Sequence, residues 1–181
     1  NARHGIYANG TSSITIGGAT TAARNTISGN AVAGISLANT GSSNVSVLSN
    51  WIGLATDGAT ARGNGTDGLV AATTTVSGLT ITSNVVSGNG RYGVALLTGT
   101  GHSLKTNWIG TDSTGLVAKP NASGGVYVNG AGVTATLGSA NTADRNVISG
   151  NGGFGVRVDA AGAVAIQGNY VGVGSDGTTA L

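Results

Sequence analysis

NTISGN (Asn25–Asn30), NVVSGN (Asn84–Asn89) and NVISGN (Asn146–Asn151) repeat one phrase three times along the chain. The interval is about 60 residues, long enough for two turns of a solenoid. A second phrase is interleaved with the first: NWIGLATDG from Asn50, NWIGTDSTG from Asn107 and NYVGVGSDG from Asn169. Each long period therefore holds two related but unequal units.

Around these phrases three short apolar segments recur in fixed order, each alternating as a half-buried strand must. The first opens on a glycine: GIYA (Gly5), GISL (Gly34), GLVA (Gly68), GVAL (Gly93), GVYV (Gly125) and GVRV (Gly155). The second reads ITI (Ile14), VSV (Val45), LTI (Leu79), HSL (His102), ATL (Ala135) and VAI (Val164). The third opens on Asn25, Asn50, Asn84, Asn107, Asn146 and Asn169. Helical periodicity is absent, and a sandwich would not repeat the same three segments in one order. The pattern predicts an all-β fold, a right-handed single-stranded parallel β-helix of about six three-strand coils with no α-helix in its core. Residues 1–181 form one such domain, expected to be a fragment of a longer repeat array.

The alternation also predicts which side chains point inward. Ile6, Ile35, Leu69, Val94, Val126 and Val156 should stack as one aliphatic ladder, and Ile27, Ile52, Val86, Ile109, Ile148 and Val171 as another. The asparagine opening the third segment occurs in all six coils, where a buried amide bonds its neighbours above and below or caps the turn backbone. Asn9-Gly10, Asn64-Gly65, Asn89-Gly90 and Asn151-Gly152 read as turns needing positive φ.

Composition agrees with a packed β protein. Of 181 residues 39% are hydrophobic, only 8% are charged, 34 are Gly, and mean hydropathy is +0.18. That is too apolar for a disordered Gly/Ser linker. Net charge is +2, and basic residues such as Arg3, Arg24, Arg62, Lys105, Lys119 and Arg145, six of the eight, form no sequence cluster, which argues against nucleic acid as a partner. No apolar run approaches the roughly 18 residues of a membrane-crossing helix, so membrane insertion is not expected.

The units NVISGNGGFGVRV and NWIGTDSTGLVAKPNASGGVYV resemble the β-helix repeats of large secreted bacterial surface proteins within the pectate-lyase-like superfamily. The resemblance spans essentially the whole chain. It implies the fold and an extracellular or cell-surface location. It leaves activity open, because that superfamily holds polysaccharide lyases and hydrolases beside adhesive and structural arrays.

No catalytic constellation is written in the residues. All six acids are Asp. Asp57, Asp112 and Asp176 fall in the loops after the aromatic strands and are expected at one equivalent position, roughly 9 to 10 Å apart along the axis. That is too wide for a single Ca²⁺. Asp57 and Asp67 could meet the spacing of a glycosidase pair, but the common use of Asp in TDG and SDG is to cap turns. There is no EF-hand, no calcium-binding nonapeptide, no nucleophile elbow and no phosphate loop. His4 and His102 are too few for a zinc cluster, and His102 falls at an inward position. Neither a metal nor a cofactor is implied.

Two outward rows remain. In the third segment the outward residues are Thr26, Trp51, Val85, Trp108, Val147 and Tyr170. Trp51, Trp108 and Tyr170 would thus repeat at about 10 Å, near the two-sugar repeat of an extended β-linked glucan, so polysaccharide stacking is one expectation. The other is that the long loops following them fold back over the rings. In the second segment Thr15, Ser46, Thr80, Ser103, Thr136 and Ala165 make a row of small side chains suited to lateral packing. The functional expectation is a non-enzymatic structural or adhesive segment of a secreted or surface protein, self-associating end to end or continued by further repeats. The alternative is a carbohydrate-active enzyme or polysaccharide-binding module.

Overall fold

The computed structural model describes residues 1–39, 43–72 and 76–181. Its strands form three parallel sheets of six, each strand pairing with its equivalent one coil away. The first sheet comprises Ile6–Asn9, Ile35–Ala38, Leu69–Ala71, Tyr92–Leu96, Gly124–Asn129 and Phe154–Asp159. The second comprises Thr15–Gly17, Ser46–Leu48, Thr80–Thr82, His102–Lys105, Ala135–Gly138 and Val164–Gln167. The third is built from two-residue strands: Thr26–Ile27, Trp51–Ile52, Val85–Val86, Trp108–Ile109, Val147–Ile148 and Tyr170–Val171. Six coils of a parallel β-helix result, with two short 3₁₀ turns, Thr21–Ala23 and Thr142–Asp144, as the helical elements among the described residues.

Register follows the hydrophobic pattern. Ile6, Ile35, Leu69, Val94, Val126 and Val156 pair in succession, as do Ile27, Ile52, Val86, Ile109, Ile148 and Val171. Apart from Val171, which is exposed in the sixth coil, these ladders form one continuous core with Leu37, Val47, Ile81, Leu96, Leu104, Val128 and Leu137. A one-residue slip would turn every ladder outward, which is why the register is so strongly specified.

Two asparagine ladders run beside that core. In the first, each amide nitrogen donates to the Oδ1 of the next coil: Asn25 to Asn50, Asn50 to Asn84, Asn84 to Asn107, Asn107 to Asn146 and Asn146 to Asn169, at 2.8–3.1 Å. The same Oδ1 accepts the backbone N–H of the preceding ladder member. The second ladder joins Asn1, Asn30, Asn64, Asn89, Asn121 and Asn151 at 2.7–2.9 Å. This corrects the reading of three Asn-Gly pairs as turns. Gly10 does have positive φ, but Asn64-Gly65, Asn89-Gly90 and Asn151-Gly152 do not, and their asparagines are ladder members. In all three SGN phrases that carry this ladder the positive φ falls on the glycine before the asparagine, at Gly29, Gly88 and Gly150.

Candidate functional site

The aromatic row lies on the third sheet in the expected register, yet its rings are not a bare stripe. Trp51, Trp108 and Tyr170 are each half-buried. Each is followed by a hairpin-like loop closed by an antiparallel bridge: Leu54 with Ala61, Thr111 with Ala118, Val173 with Ala180. Gly58 lies against Trp51 and Gly177 against Tyr170 so closely that a Cβ there would stand 2.8 Å from Trp51 Cζ2 and 2.7 Å from Tyr170 Oη. The loops also stack on one another: the N–H of Ser113 donates to Gly58 O (2.8 Å) and that of Ser175 to Gly115 O (2.9 Å). The Arg24 guanidinium lies 4.2 Å from the Trp51 ring centre, and Arg145 lies 4.0 Å from that of Tyr170. A groove of about 370 Å³ remains open between Trp51 and Trp108, over Val85.

The loop carboxylates are turn caps. Asp57 accepts from the backbone of Ala59 and Thr60 and from the Thr60 hydroxyl, and Asp176 repeats the pattern with Thr178 and Thr179. These bonds hold Asp57 down at about 2, the Thr60 side chain contributing most, and hold Asp176 well below the usual carboxylate range. Asp112 is not their equivalent. Aligning the three closing bridges puts Thr114 at the position of Asp57 and Asp176, with Asp112 two residues earlier. Burial opposes its ionisation, but donors from Thr114, Val117 and Leu116 outweigh that and lower its pKa. Asp67 does not converge with Asp57 either: it is buried, in a two-pronged ion pair with Arg91, and accepts the Tyr92 N–H at 3.1 Å. Among the described residues no three acidic, histidine or cysteine side chains group as metal ligands would.

A cluster that the linear pattern concealed stands on the first sheet. Tyr92 and Tyr127 stack with ring centres 4.7 Å apart and planes at 22°. Arg157 lies 5.5 Å from the Tyr127 ring and 5.4 Å from that of Phe154, while Arg91 lies 5.8 Å from Tyr92. Rings and guanidinium groups therefore form one patch spanning three coils. It is fastened at both ends: Arg91 by Asp67, Arg157 by Asp159 at 2.7 Å, with the Tyr127 hydroxyl also donating to Asp159 at 3.3 Å. Phe154 is 56% exposed. Next to it, on the second to fourth coils, Ala33, Val70 and Ala95 form a small apolar cluster against which Tyr92 packs. At the far end of the same face Tyr7 is exposed and stacks on His4. The signal was weak in sequence because Tyr92 and Phe154 precede their apolar segments and only Tyr127 sits within one.

The second sheet carries the row Thr15, Ser46, Thr80, Ser103, Thr136 and Ala165 in register. A shallow trough of about 770 Å³ passes over Ser103, Thr136 and Ala165. His102 is buried beside it at an inward position.

The model of the right-handed β-helix region matches residues 53–179. The chain belongs to the right-handed β-helix family. No curated protein sequence matches it. Among solved structures it is similar to the periplasmic alginate epimerase AlgG, with a TM-score of 0.71 at 18% identity, and to a point mutant of that enzyme at 19% with the same TM-score. Each alignment covers 93% of this chain and 36% of the other. The β-helix described here thus spans about a third of the length of those proteins, and at this identity the likeness is one of fold.

Proposed function

We propose that this β-helix is an extracellular or cell-envelope segment that binds an anionic polysaccharide along the outside of its first sheet. The observation that carries this reading is the Tyr92, Tyr127, Arg157 and Phe154 patch. Rings offer flat apolar faces to the C–H faces of sugars, and guanidinium groups pair with carboxylates in a fixed fork. Arg91 and Arg157 are already oriented by Asp67 and Asp159, so little side-chain entropy is left to lose on binding. The carboxylates of the patch are engaged by arginine, an arrangement for holding rather than turning over a glycan. The periplasmic alginate epimerase of like fold supports a saccharide polymer as partner and the envelope as location.

The test is electrophoretic retardation in gels containing polyuronate or a neutral β-glucan. Retardation by polyuronate, weakening with added salt and reduced at least tenfold in affinity by Arg157→Ala with Tyr127→Ala, is the expected result. Equal mobility in polyuronate and in plain gel would sink the reading. Release of unsaturated or shortened products would convert it to an enzyme.

A second reading, end-to-end association, is favoured by one observation. Val158, Ile166 and Val171 in the last coil are 41–52% exposed, whereas their ladder mates Val128, Leu137 and Ile148 are fully buried. A second copy laid on that edge would cover them. Sedimentation over a range of concentrations measures this association directly.

A further inference from the structure

In the first and fifth coils eight residues connect the second-sheet strand to the third-sheet strand, running from Gly18 to Asn25 and from Ser139 to Asn146. Each insert makes a 3₁₀ turn and ends in Arg-Asn. In both, the arginine Nε–H donates to a carbonyl of the next coil, Arg24 to Ser49 O at 3.0 Å and Arg145 to Gly168 O at 2.8 Å. The guanidinium is thereby held over that coil's aromatic ring. In the third coil only Ser83 and Asn84 connect Thr82 to Val85. The ring this coil would cover is Trp108, and among the described residues no guanidinium lies over it. The groove between Trp51 and Trp108 is therefore the place where an internal ring cover is missing.

Its dimensions and rim say what fits. The strands bearing the two indoles are two strand spacings apart, about 9.6 Å, which leaves room for one ring-sized group between their side chains. Val85, buried between them, is the floor. The rim is polar: Ser83 Oγ and Thr106 Oγ1 lie 3.2 Å apart, Ser113 stands on the loop side, and Arg24 closes one end. A cation would meet Arg24 as a like charge. A purely apolar ligand would offer that polar rim no donor or acceptor in place of the water it displaces. A saturated ring with apolar faces and a hydroxylated or carboxylated edge satisfies both walls and rim.

We propose that the slot between Trp51 and Trp108 binds a single pyranose residue of a glycan, stacked over Val85 with its polar edge on Arg24, Ser83 and Thr106. The slot opens on the third sheet and does not depend on the first-sheet reading.

Tryptophan emission during titration with cellotetraose and with a uronate tetrasaccharide tests the proposal. At least one should give a saturable change in the intact chain. Trp108→Ala should weaken it at least tenfold, and Ser83→Arg, which brings a long charged side chain onto the rim at the residue before the ladder asparagine, should abolish it while the chain still unfolds in one cooperative transition. Tyr127→Ala should leave it intact, separating this slot from the first-sheet patch. Silence from both tetrasaccharides, a response that persists in Ser83→Arg, or a response to arginine amide and to neither saccharide would each overturn it.

Discussion

His102 occupies a ladder position shared with Ala135 and Val164, where an imidazole replaces an aliphatic side chain. Its Nε2 lies 2.8 Å from Thr98 O, an acceptor only, so Nε2 carries the hydrogen and Nδ1 keeps its lone pair. Nδ1 is buried without a partner. Burial lowers the pKa of the ring, and the Thr98 bond only partly offsets it. The unfolded chain therefore takes up this proton at higher pH than the folded one. Stability is constant well above the ordinary histidine value and falls as pH drops through about 6.5, by at most about 1.4 kcal/mol per pH unit until the folded ring titrates. Thermal melts from pH 8 to 5 should show this decline, and His102→Val should flatten it to the residue left by His4, whose pKa is lowered by burial and by Arg3. An unchanged slope in His102→Val would place the pH sensitivity elsewhere.

At the scale of the element, the asparagine ladders explain a glycine column. A Cβ on Gly5, Gly34, Gly68, Gly93 or Gly125 would stand 2.7–2.9 Å from the Nδ2 of Asn30, Asn64, Asn89, Asn121 or Asn151. In the first five coils the first-sheet segment opens on glycine because an amide of the second ladder and an aliphatic branch of the third sheet fill the space beside it, while at Gly155 that space is taken by Val171 Cγ1 at 2.7 Å. The first ladder was legible in sequence because its asparagine always begins the third segment. The second was not. It follows Asn25, Asn84 and Asn146 by five residues, but Asn50 and Asn107 by 14, the loop that follows each tryptophan having intervened. In the first ladder, Asn107 is fully buried: its amide donates to Ile81 O and Asn146 Oδ1, and its Oδ1 accepts from the backbone and side chain of Asn84. Asn107→Ala strands those groups and should cost about 3 kcal/mol or more. Asn25→Ala, at the exposed end where water replaces lost partners, should cost under about 1 kcal/mol by the same reasoning. Urea denaturation of the two variants reads the difference, and equal costs would mean that the ladder is not a cooperative buried network.

For the whole molecule the stacked coil is the relevant unit, because each coil touches mainly its two neighbours. The repeat phrases made the coils and their inward ladders legible, since register in a stack is set by local patterning. The first-sheet patch escaped because it is assembled from three coils, one or two residues from each, and only stacking brings Tyr92, Tyr127, Arg157 and Phe154 together. The same nearest-neighbour architecture predicts graded stability. Ile52, Val86, Ile109 and Ile148 are fully buried, Ile27 in the first coil is 6% exposed, and Val171 in the last is 52% exposed. Native-state hydrogen exchange should therefore find the slowest amides in the middle coils and the fastest in the sixth, with opening energies falling stepwise toward that edge. If a second copy stacks on the edge, protection of the Val164–Gln167 and Tyr170–Val171 amides should rise with protein concentration while that of the middle coils stays constant. Uniform protection through all six coils would show that the stack opens as one block and that nearest-neighbour terms do not govern it.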